Sequence, residues 1–314
     1  MAYNSLITRS DVDALIPEDV SREIIQGMPV NSAVMQLARR LPNMTTAQRR
    51  MPVLSGLISA YFVTGDTGLK QTSEAAWSNK YINAEELAVI VPIPEAVLAD
   101  QDYDVWGEIR PRIVEAFGIA FDAAVLYGTN APDDWPTDLV SGATSASHTV
   151  TIGAGADLYD DIMGENGTLA FVEQDGFGVN GHVGSMTMRS KLRGLRDANG
   201  VPIFVRTMQA ATQYELDGAP VIFPQNSAVD AAQSLLISGD WNQLVYSMRQ
   251  DITYKLLTEA VIQDASGNII YNLAQQDMVA LRAVMRLGWQ LPNPINRLQP
   301  TEASRYPFAV LLPA

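Results

Sequence analysis

The strongest periodic pattern of apolar positions covers residues 102–128, where these positions recur every three or four residues. That spacing puts them on one face of a helix. They are Trp106, Ile109, Ile113, Phe117, Ala120 and Ala124. The pattern predicts a long helix that ends at Gly128. Because proline removes a backbone hydrogen bond, Pro111 predicts either a kink or a helix that starts near Arg110.

Two shorter helical patterns lie within residues 1–48. IPEDVSREIIQGM carries valine and isoleucine at helical spacing behind two acidic residues. NSAVMQLARRL has Asn31 or Ser32 as its cap and is expected to end at Pro42. Neither helix is long enough to be stable alone, so this part of the chain is predicted to be an arm.

Residues 49–93 predict an extended β-hairpin. LISAYFVTGDTG is rich in β-forming residues and ends in turn residues, and Leu87 to Ile93 alternate as a strand does. The intervening residues, Thr64 to Ser78, are predicted to form a polar tip. An isolated two-stranded hairpin is marginal in water, so we expect this one to lie on another surface.

The middle of the chain mixes helical and extended patterns. Residues 129–155 are rich in turn-forming residues and predict a loop and a domain boundary. Beyond them, up to residue 269, ADLYDDIMGE and SMTMRSKLRGLRDANG predict helices, the second capped by Ser185, while VPIFV, APVIF and SLLIS predict buried strands. Turns are predicted at Asp217-Gly218 and Ser266-Gly267. The mixture favours an α+β fold.

NLAQQDMVALRAVMRLGW, residues 272–289, fits a helix as well as a strand. Both place Arg282 and Arg286 on the same face. We favour the strand, because β-rich segments precede it and the proline-containing PNPINRLQP closes it.

The composition narrows the possible functions. The 314-residue chain is 47% hydrophobic and 18% charged, so it can bury a large core. It has no cysteine, which excludes disulfides and thiolate chemistry. Its net charge of −14 argues against sequence-specific DNA binding. Two prolines and a glutamate interrupt the longest apolar run, Leu87 to Ala99, and the N-terminus lacks a signal-peptide pattern, so we expect neither a membrane span nor secretion.

The charge is unevenly distributed. Arg39, Arg40, Arg49 and Arg50 lie close together in the sequence with no acid between them, whereas residues 113–188 contain no lysine or arginine. One interpretation is a solvated acidic domain beside a basic arm. The other is that two surfaces of opposite charge attract each other between copies of the chain.

No motif in the sequence supports catalysis. The glycines of GFGVNG match a dinucleotide-binding pattern, but EQD precedes them and the next predicted helix starts too late, near Ser185. His148 and His182 have no partner at ligand spacing and are expected to be exposed. The adjacent pairs Asp133-Asp134 and Asp160-Asp161 are expected to be solvated. We therefore predict no enzymatic activity, no metal and no cofactor.

The order of these segments resembles the major capsid protein of tailed bacteriophages, which has the Hong Kong 97-type fold. IPEDVSREIIQGMPVNSAVMQLARRL resembles its N-terminal arm. AYFVTGDTGLKQTSEAAW is similar to its extended loop, with Asp66 where an acid after glycine is usual. VPIPEAVLADQDYDVWGEIRPRIVEAFGIAFDAAVLYGT resembles the segment that enters and forms the spine helix. RSKLRGLRDANGVPIF, LDGAPVIFP and ISGDWNQLVYSMRQDITYKL resemble the axial domain, and NLAQQDMVALRAVMRLGWQLPNP resembles the returning peripheral-domain strand.

The resemblance implies five parts. They are an N-terminal arm at 1–48, an extended loop at 49–93, a peripheral domain with the spine helix at 94–135, an axial domain at 136–269 and returning peripheral-domain strands at 270–314.

The resemblance also implies a function. Copies of the chain would assemble as pentamers and hexamers into an icosahedral shell, in the bacterial host cytoplasm, and would enclose double-stranded DNA without reading its sequence. Separate scaffolding, portal and decoration proteins are the other implied partners. The candidate inter-subunit residues are Arg39, Arg40, Arg49, Arg50, Asp66, Lys70, Trp77, Arg282 and Arg286.

Several alternatives stay open. Some relatives form lysine–asparagine crosslinks, for which Lys70, Lys80, Asn293 and Asn296 are the candidates here. An encapsulin-type nanocompartment would share the fold and enclose cargo protein instead of DNA. An enzyme with a site that the sequence does not reveal, and a decoration or scaffold protein, are the remaining classes.

Overall fold

The computed structural model describes residues 31–63, 68–99, 105–196 and 214–314. They form an α+β fold. The helices are α1 (Ala33–Leu37), α2 (Glu95–Ala99), α3 (Val105–Tyr127), α4 (Leu139–Ser145), α5 (Leu158–Met163), α6 (Thr168–Gln174) and α7 (Met186–Gly194). The strands are β1 (Arg39–Arg40), β2 (Gln48–Gly56), β3 (Ala76–Asn83), β4 (Glu85–Pro94), β5 (Thr149–Thr151), β6 (Gly181–Gly184), β7 (Tyr214–Leu216), β8 (Ala219–Ile222), β9 (Leu236–Gly239), β10 (Val245–Leu257), β11 (Val261–Gln263), β12 (Ile269–Asn272), β13 (Met278–Gln290) and β14 (Phe308–Leu312). The first predicted arm helix, Asp66 and the predicted VPIFV strand lie outside the described residues.

A four-stranded sheet, with the order β1-β10-β13-β4, contains the longest strands. β13 lies between β10 and β4 and is antiparallel to both. The strand prediction for this stretch is therefore confirmed. Both neighbours supply backbone partners along nearly its whole length, and Ala283, Met285 and Leu287 of β13 share one hydrophobic core with Phe117 and Phe121 of α3.

A six-stranded sheet, with the order β5-β14-β9-β6-β8-β7, forms the second layer of strands. Its central strands β6, β9 and β14 are almost fully buried. Helices α5, α6 and α7 contribute Ile162, Leu169, Met188 and Leu192 to a second core together with Leu236 of β9. The predicted strands APVIF and SLLIS are β8 and β9. The predicted caps and turns are also present: Ser185 accepts a hydrogen bond from Met188 N at 3.2 Å, and the chain turns at positive φ in Gly218 and Gly267.

The long helix α3 has 23 residues and contains Pro111. Of the two predicted alternatives, the start near Arg110 is wrong, because the helix begins at Val105. Trp106 and Ile109, in the turns before the proline, pack against the main core, and this packing outweighs the missing backbone bond. At the other end, Gly128 has φ +68 and ends the helix as predicted.

The predicted second arm helix is too long. Ser32 caps it as expected, but α1 ends at Leu37 and does not reach Pro42. Arg39–Arg40 instead form a short parallel strand beside β10. The free edge of β10 supplies the backbone partners: Arg39 N donates to Leu244 O at 2.9 Å, and Leu41 N donates to Tyr246 O at 2.8 Å.

The hairpin is present, but its predicted strands are wrong. β2 pairs with β3, which lies in neither predicted strand and overlaps the predicted polar tip only at residues 76–78, while β4 pairs with β13 about 190 residues away in the sequence. The predicted loop 129–155 also contains α4 and β5. Such pairings depend on long-range partners that local propensity does not encode.

The two sheets do not follow the expected boundary at residue 269. β10, from the predicted axial segment, belongs to the four-stranded sheet, and β14, from the predicted peripheral segment, belongs to the six-stranded sheet. The chain therefore passes from the six-stranded to the four-stranded sheet between β9 and β10 and returns between β13 and β14.

Candidate functional site

The glycine pattern GFGVNG does not form a dinucleotide loop. Gly176, with φ +79, follows helix α6, and Gly181 begins strand β6. A dinucleotide site needs a strand before the glycines and a helix starting at them. Here the order is reversed, and the next helix starts only at Met186.

Both histidines are buried, so the expectation that they are exposed is wrong. His182 is wholly buried in β6, with Nδ1 at 2.8 Å from Ser238 Oγ and Nε2 at 3.1 Å from Leu216 O. Burial lowers the pKa of His182 to about 4, so the ring is neutral near pH 7. His148 lies between Phe308 O and the Asp175 carboxylate, each at 3.3 Å. These contacts join strands and helices of one core.

Asp161 also differs from its prediction, because it is buried. Its two carboxylate oxygens accept hydrogen bonds from Gly153 N and Gly155 N, both at 2.7 Å, and so fix the turn before α5. Across the four described ranges, no group of three or more histidine, aspartate and glutamate side chains is placed to hold a metal ion. No helix in the same residues is both long and apolar enough to cross a bilayer.

The hairpin carries an apolar surface that is exposed to solvent. At the outer end of the hairpin, Phe62 is fully exposed, Leu69 is 90% exposed, and Trp77 near the start of β3 is 68% exposed. We refer to these three residues and Ile58 as the loop surface. The two limbs of the loop stay together, because Tyr61 OH donates to Gln71 O at 2.9 Å and Ser59 N donates to Ser73 Oγ at 2.8 Å. Exposed apolar groups of this size mark interaction sites.

The hairpin contacts its own chain from its base out to Ile58. Arg297 Nη2 donates to Ile58 O at 2.7 Å, and Ile295 N donates to Leu54 O at 3.2 Å. β2 and β3 form a sheet of two strands with no further strand beside them among the described residues. The outer part of the hairpin, which carries Phe62 and Leu69, is therefore left uncovered.

A second exposed apolar surface lies on the hairpin of β11 and β12, which the sequence analysis did not single out. Val261, Ile269, Ile270 and the adjacent Leu256 are each about half exposed or more. We refer to these four residues as the distal surface. A signal was present, since GNIIYN follows a predicted turn with adjacent isoleucines, but a strand of four residues shows too little periodicity to reveal its exposed side.

The four arginines of the arm and hairpin differ in their contacts, and two of them, Arg40 and Arg49, meet at Asn43. Arg39 and Arg50 are exposed, and neither guanidinium has a hydrogen-bond partner among the described residues. Arg40 Nη2 donates to Asn43 Oδ1 at 3.2 Å. Arg49 turns back onto its own chain, where it donates to Pro42 O at 2.7 Å and to Asn43 O at 3.2 Å.

The arginines of β13 have different environments. Arg286 forms an ion pair with Glu86 of β4, with Nη2 at 2.5 Å and Nε at 2.9 Å from the same carboxylate oxygen. Arg282 is exposed and lies between Ile90 and Lys255 on the neighbouring strands. Of the two side chains, only Arg282 is unpaired within the described part of the subunit.

The candidate crosslinking residues are mostly committed to contacts within the chain. Lys80 Nζ forms an ion pair with Glu302 at 2.8 Å, and this contact holds the pKa of Glu302 below its usual value. Asn293 donates to Arg305 O at 2.7 Å, and Asn296 donates to Asp175 O at 2.5 Å. Lys70 is exposed.

A buried carboxylate holds the start of the described chain. Asp122 of α3 accepts hydrogen bonds from Ser32 Oγ, from Ala33 N at 2.8 Å and from Val34 N at 3.2 Å. Burial raises its pKa to about 6, although these three bonds act in the opposite direction. The sequence offered one signal for it, a lone acid within the apolar stretch IAFDAAV.

The chain is similar to known proteins in both sequence and fold. The profile of the phage capsid family matches residues 13–298. The major capsid protein of Staphylococcus phage 80alpha is 29% identical over 90% of this chain and 83% of its own length. A solved structure of Microbacterium phage Oxtober96 is 37% identical, with a TM-score of 0.84, and covers 99% of this chain and 100% of that one. A structure of Mycobacterium phage Bobi is 31% identical, with a TM-score of 0.82, over 99% of both chains.

Proposed function

The chain belongs to the phage capsid family, and from this premise we propose that its copies close into the icosahedral shell that encloses the double-stranded DNA of a tailed phage. It is a major capsid protein and thus a structural component of the virion. The observation that carries the proposal is the loop surface, because its apolar side chains have no cover in the described part of the subunit.

Burial between copies explains the loop surface. Removing apolar surface from water stabilises a contact by about 25 cal/mol per Å². Phe62, Leu69 and Trp77 leave water once the hairpin lies on a neighbouring subunit. The distal surface on β11 and β12 serves the same purpose at another contact. Several modest contacts made together give a shell high avidity.

We propose that the parts of the chain correspond to those of the Hong Kong 97-type fold. α3 is the spine helix, and with β4, β10 and β13 it forms the peripheral domain. The six-stranded sheet and its helices form the axial domain. Residues 1–48 are the arm and the β2–β3 hairpin is the extended loop. The arm and hairpin bend while the two domains stay rigid, so one sequence closes rings of five and of six.

Charged side chains help to fix how the apolar surfaces of two subunits align. We propose that the exposed cations Arg39, Arg50, Lys70 and Arg282 meet acidic side chains of neighbours, as Asp66 meets basic ones. Arg40, Arg49 and Arg286 contact neighbours less directly, since each already has a partner in its own chain. Surface ion pairs contribute little energy, about 0–1 kcal/mol each, and so orient the contact more than they stabilise it.

The genome stays inside because the closed shell surrounds it and not because the subunits bind DNA. A net charge of −14 gives the subunit no general attraction to phosphates, and residues 113–188 contain no lysine or arginine that could bind them. Assembly takes place in the bacterial host cytoplasm, with scaffolding, portal and decoration functions supplied by separate proteins.

Electron microscopy of the purified full-length chain, with and without changes in the loop surface, tests this function. The parent chain is expected to form rings or closed particles. The double variant Phe62→Ser, Leu69→Ser is expected to stay unassembled with an unchanged melting temperature, because both side chains are exposed in the single subunit.

Tyr159→Ser is the matched control, since Tyr159 is also an exposed aromatic residue but lies on α5 and belongs to neither apolar surface. It is expected to assemble like the parent. Particles that form equally well from the double variant would show that the loop surface does not join subunits. Particles isolated from a natural source that contain cargo protein in place of DNA would point to a nanocompartment.

A further inference from the structure

A pocket of about 250 Å³ opens beside the C-terminal half of α3. Its walls come from α3, β4, β13 and the turn that follows α3, and they are mostly apolar: Leu87, Ala120, Phe121, Ala124, Trp135 and Leu287. The rings of Phe121 and Trp135 meet edge to face, with their centres 6.0 Å apart. The exposed residues Thr129 and Asn130 lie at its opening. A cavity of roughly 150 Å³ holds a benzene molecule, so this pocket has room for one aromatic side chain.

A carboxylate lies at the opening of the pocket. Glu85, at the start of β4, is opposite Leu287 in the register of β4 and β13, and residues that are directly opposite share one face of the sheet. Glu85 is half-buried and forms no ion pair within the described residues. The next residue, Glu86, is already paired with Arg286. The pocket therefore suits an apolar side chain that has a cation beside it.

The outer part of the hairpin carries this combination. Tyr61 lies opposite Gln71 through the hydrogen bond described above. The next positions toward the end of the hairpin are Phe62 on one limb and Lys70 on the other, so these two residues are also neighbours across the loop. Phe62 is fully exposed and Lys70 is exposed. The loop surface thus presents an aromatic ring next to a positive charge.

The distal surface does not match the pocket in charge. Residues 256–277, which contain this surface, include three acids and no lysine or arginine. These carboxylates and Glu85 repel each other. Of the two exposed apolar surfaces, the loop surface is therefore the one that complements the pocket.

The loop of the same subunit does not reach this pocket. The base of the hairpin lies next to it, because Asn83 O, at the end of β3, accepts a hydrogen bond from Trp135 Nε1 in the pocket wall. From Asn83 back to Ala76, the eight residues of β3 extend over about 23 Å. Phe62 lies farther out still, on the limb that continues β2. An aromatic side chain from the loop must therefore come from another copy.

We propose that Phe62 of one copy enters this pocket on a neighbouring copy, where Lys70 beside it pairs with Glu85. The ring of Phe62 packs against Phe121 and Trp135, and aromatic groups favour such contacts. Each copy gives its loop to one neighbour and receives the loop of another, which is a head-to-tail contact that can close a ring. The inference rests on the proposed function, because it names the site that receives the loop surface.

The absence of cysteine allows this contact to be trapped with introduced thiols. In the assembled full-length chain under mild oxidation, Lys70→Cys combined with Glu85→Cys is expected to give disulfides between copies, visible as a ladder of dimers and larger species on a non-reducing gel. Phe62→Cys combined with Ala123→Cys, on the half-buried wall of the pocket, is expected to give the same ladder. Ile269→Cys combined with Glu85→Cys, the control from the distal surface, is expected to stay monomeric.

The pattern on the gel separates the alternatives. Disulfides within one chain, seen as faster monomers, would show that a subunit fills its own pocket. A ladder from the control pair alone would assign the pocket to the distal surface. Either result would overturn the proposal, and so would particles of the first two variants that give no ladder. Those particles would leave the proposed function intact, whereas a parent chain that forms neither rings nor particles would contradict that function itself.

A charge exchange tests the ion pair without cysteines. Lys70→Glu combined with Glu85→Lys restores opposite charges at the contact. Lys70→Glu combined with Glu74→Lys, at another exposed position of the loop, has the same net charge but leaves two acids at the contact. The first variant is expected to form particles at the protein concentration of the parent, and the second is expected to need about threefold more. Equal concentrations for the two variants would show that Lys70 does not pair with Glu85.

Discussion

Asp122 and His182 are both fully buried, and burial shifts their pKa values in opposite directions. The pKa of Asp122 rises from 3.8 to about 6, so the folded chain holds a proton there that the unfolded chain has released. Its contribution to stability is therefore present at low pH and is lost as pH rises through 6. The pKa of His182 falls from 6.5 to about 4, so its contribution is present above pH 6.5 and is lost as pH falls through 4.

Between about pH 4 and pH 6 the two residues therefore change the free energy of unfolding in opposite directions, and their effects largely cancel. Single substitutions separate the two effects. In Asp122→Asn only the histidine remains, so stability is expected to rise between pH 4.5 and 6.5 relative to the parent, on the order of 1 kcal/mol per pH unit. In His182→Gln the sign reverses, and stability is expected to fall over that range. Melting temperatures of both variants and the parent, measured across the range, check this. Parallel curves for all three chains would contradict the assignment.

Few of these residue-level roles could be predicted from the sequence. Ser32 and Ser185 were identified as caps because a cap is local and its hydrogen bond spans three residues. The burial of His182 and Asp161 could not be predicted, because each depends on partners brought together by folding. Asp122 holds residues about 90 positions away, and no local pattern marks the recipient of such a bond.

At the scale of elements, the base of the hairpin presses against the four-stranded sheet at one glycine. A Cβ on Gly288 of β13 would lie 2.1 Å from Asn83 O, at the end of β3. That carbonyl cannot move freely, because it also accepts a hydrogen bond from Trp135 Nε1 at 3.2 Å. The hairpin therefore leaves the sheet in a direction set by this contact.

Gly288→Ala is expected to push β3 away from β13 and to destabilise the chain by about 1–3 kcal/mol, the usual cost of overpacking. Assembly should suffer as well, since the hairpin that carries the loop surface is redirected. Gly178→Ala is the matched control, because Gly178 is exposed and a Cβ there meets nothing within 4 Å. Thermal unfolding and particle yield measure the two effects. Equal melting temperatures for the two variants would show that Asn83 and its neighbours shift to make room for the added methyl group at no cost in stability.

Elements with a strong local pattern were predictable, and their partners were not. α3 was found because its periodicity continues over many residues. β13 was assigned from the β-rich segments before it and the prolines after it, because its own pattern fits a helix equally well. The pairing of β2 with β3 was missed, because each strand has only one fully buried residue, Val53 and Ile82, and AWSNKYIN shows no apolar alternation. β1 was missed because two residues carry no pattern, and only the edge of β10 makes them a strand.

At the scale of the whole molecule, two opposing terms act on assembly. The loop and distal surfaces favour contact between copies by burying apolar area, a term that depends only weakly on moderate salt. The net charge of −14 on every copy opposes contact through like-charge repulsion. The sequence revealed the second term directly. It did not show which apolar residues stay exposed, since that depends on the complete fold.

Salt should therefore promote assembly. The screening length falls from about 30 Å at 0.01 M ionic strength to about 10 Å at 0.1 M, so repulsion between subunits weakens while apolar burial persists. The protein concentration needed for particles, followed by light scattering, is expected to fall over this range. Lys70→Glu makes each copy more negative by two charges at an exposed position, and it is expected to raise the salt concentration needed for assembly.

A steady loss of particles with added salt would mean that ion pairs of Arg39, Arg50 and Arg282 hold the subunits together, because those attractions are screened in the same way. The direction of the salt effect thus distinguishes apolar burial from charge pairing as the main force between copies.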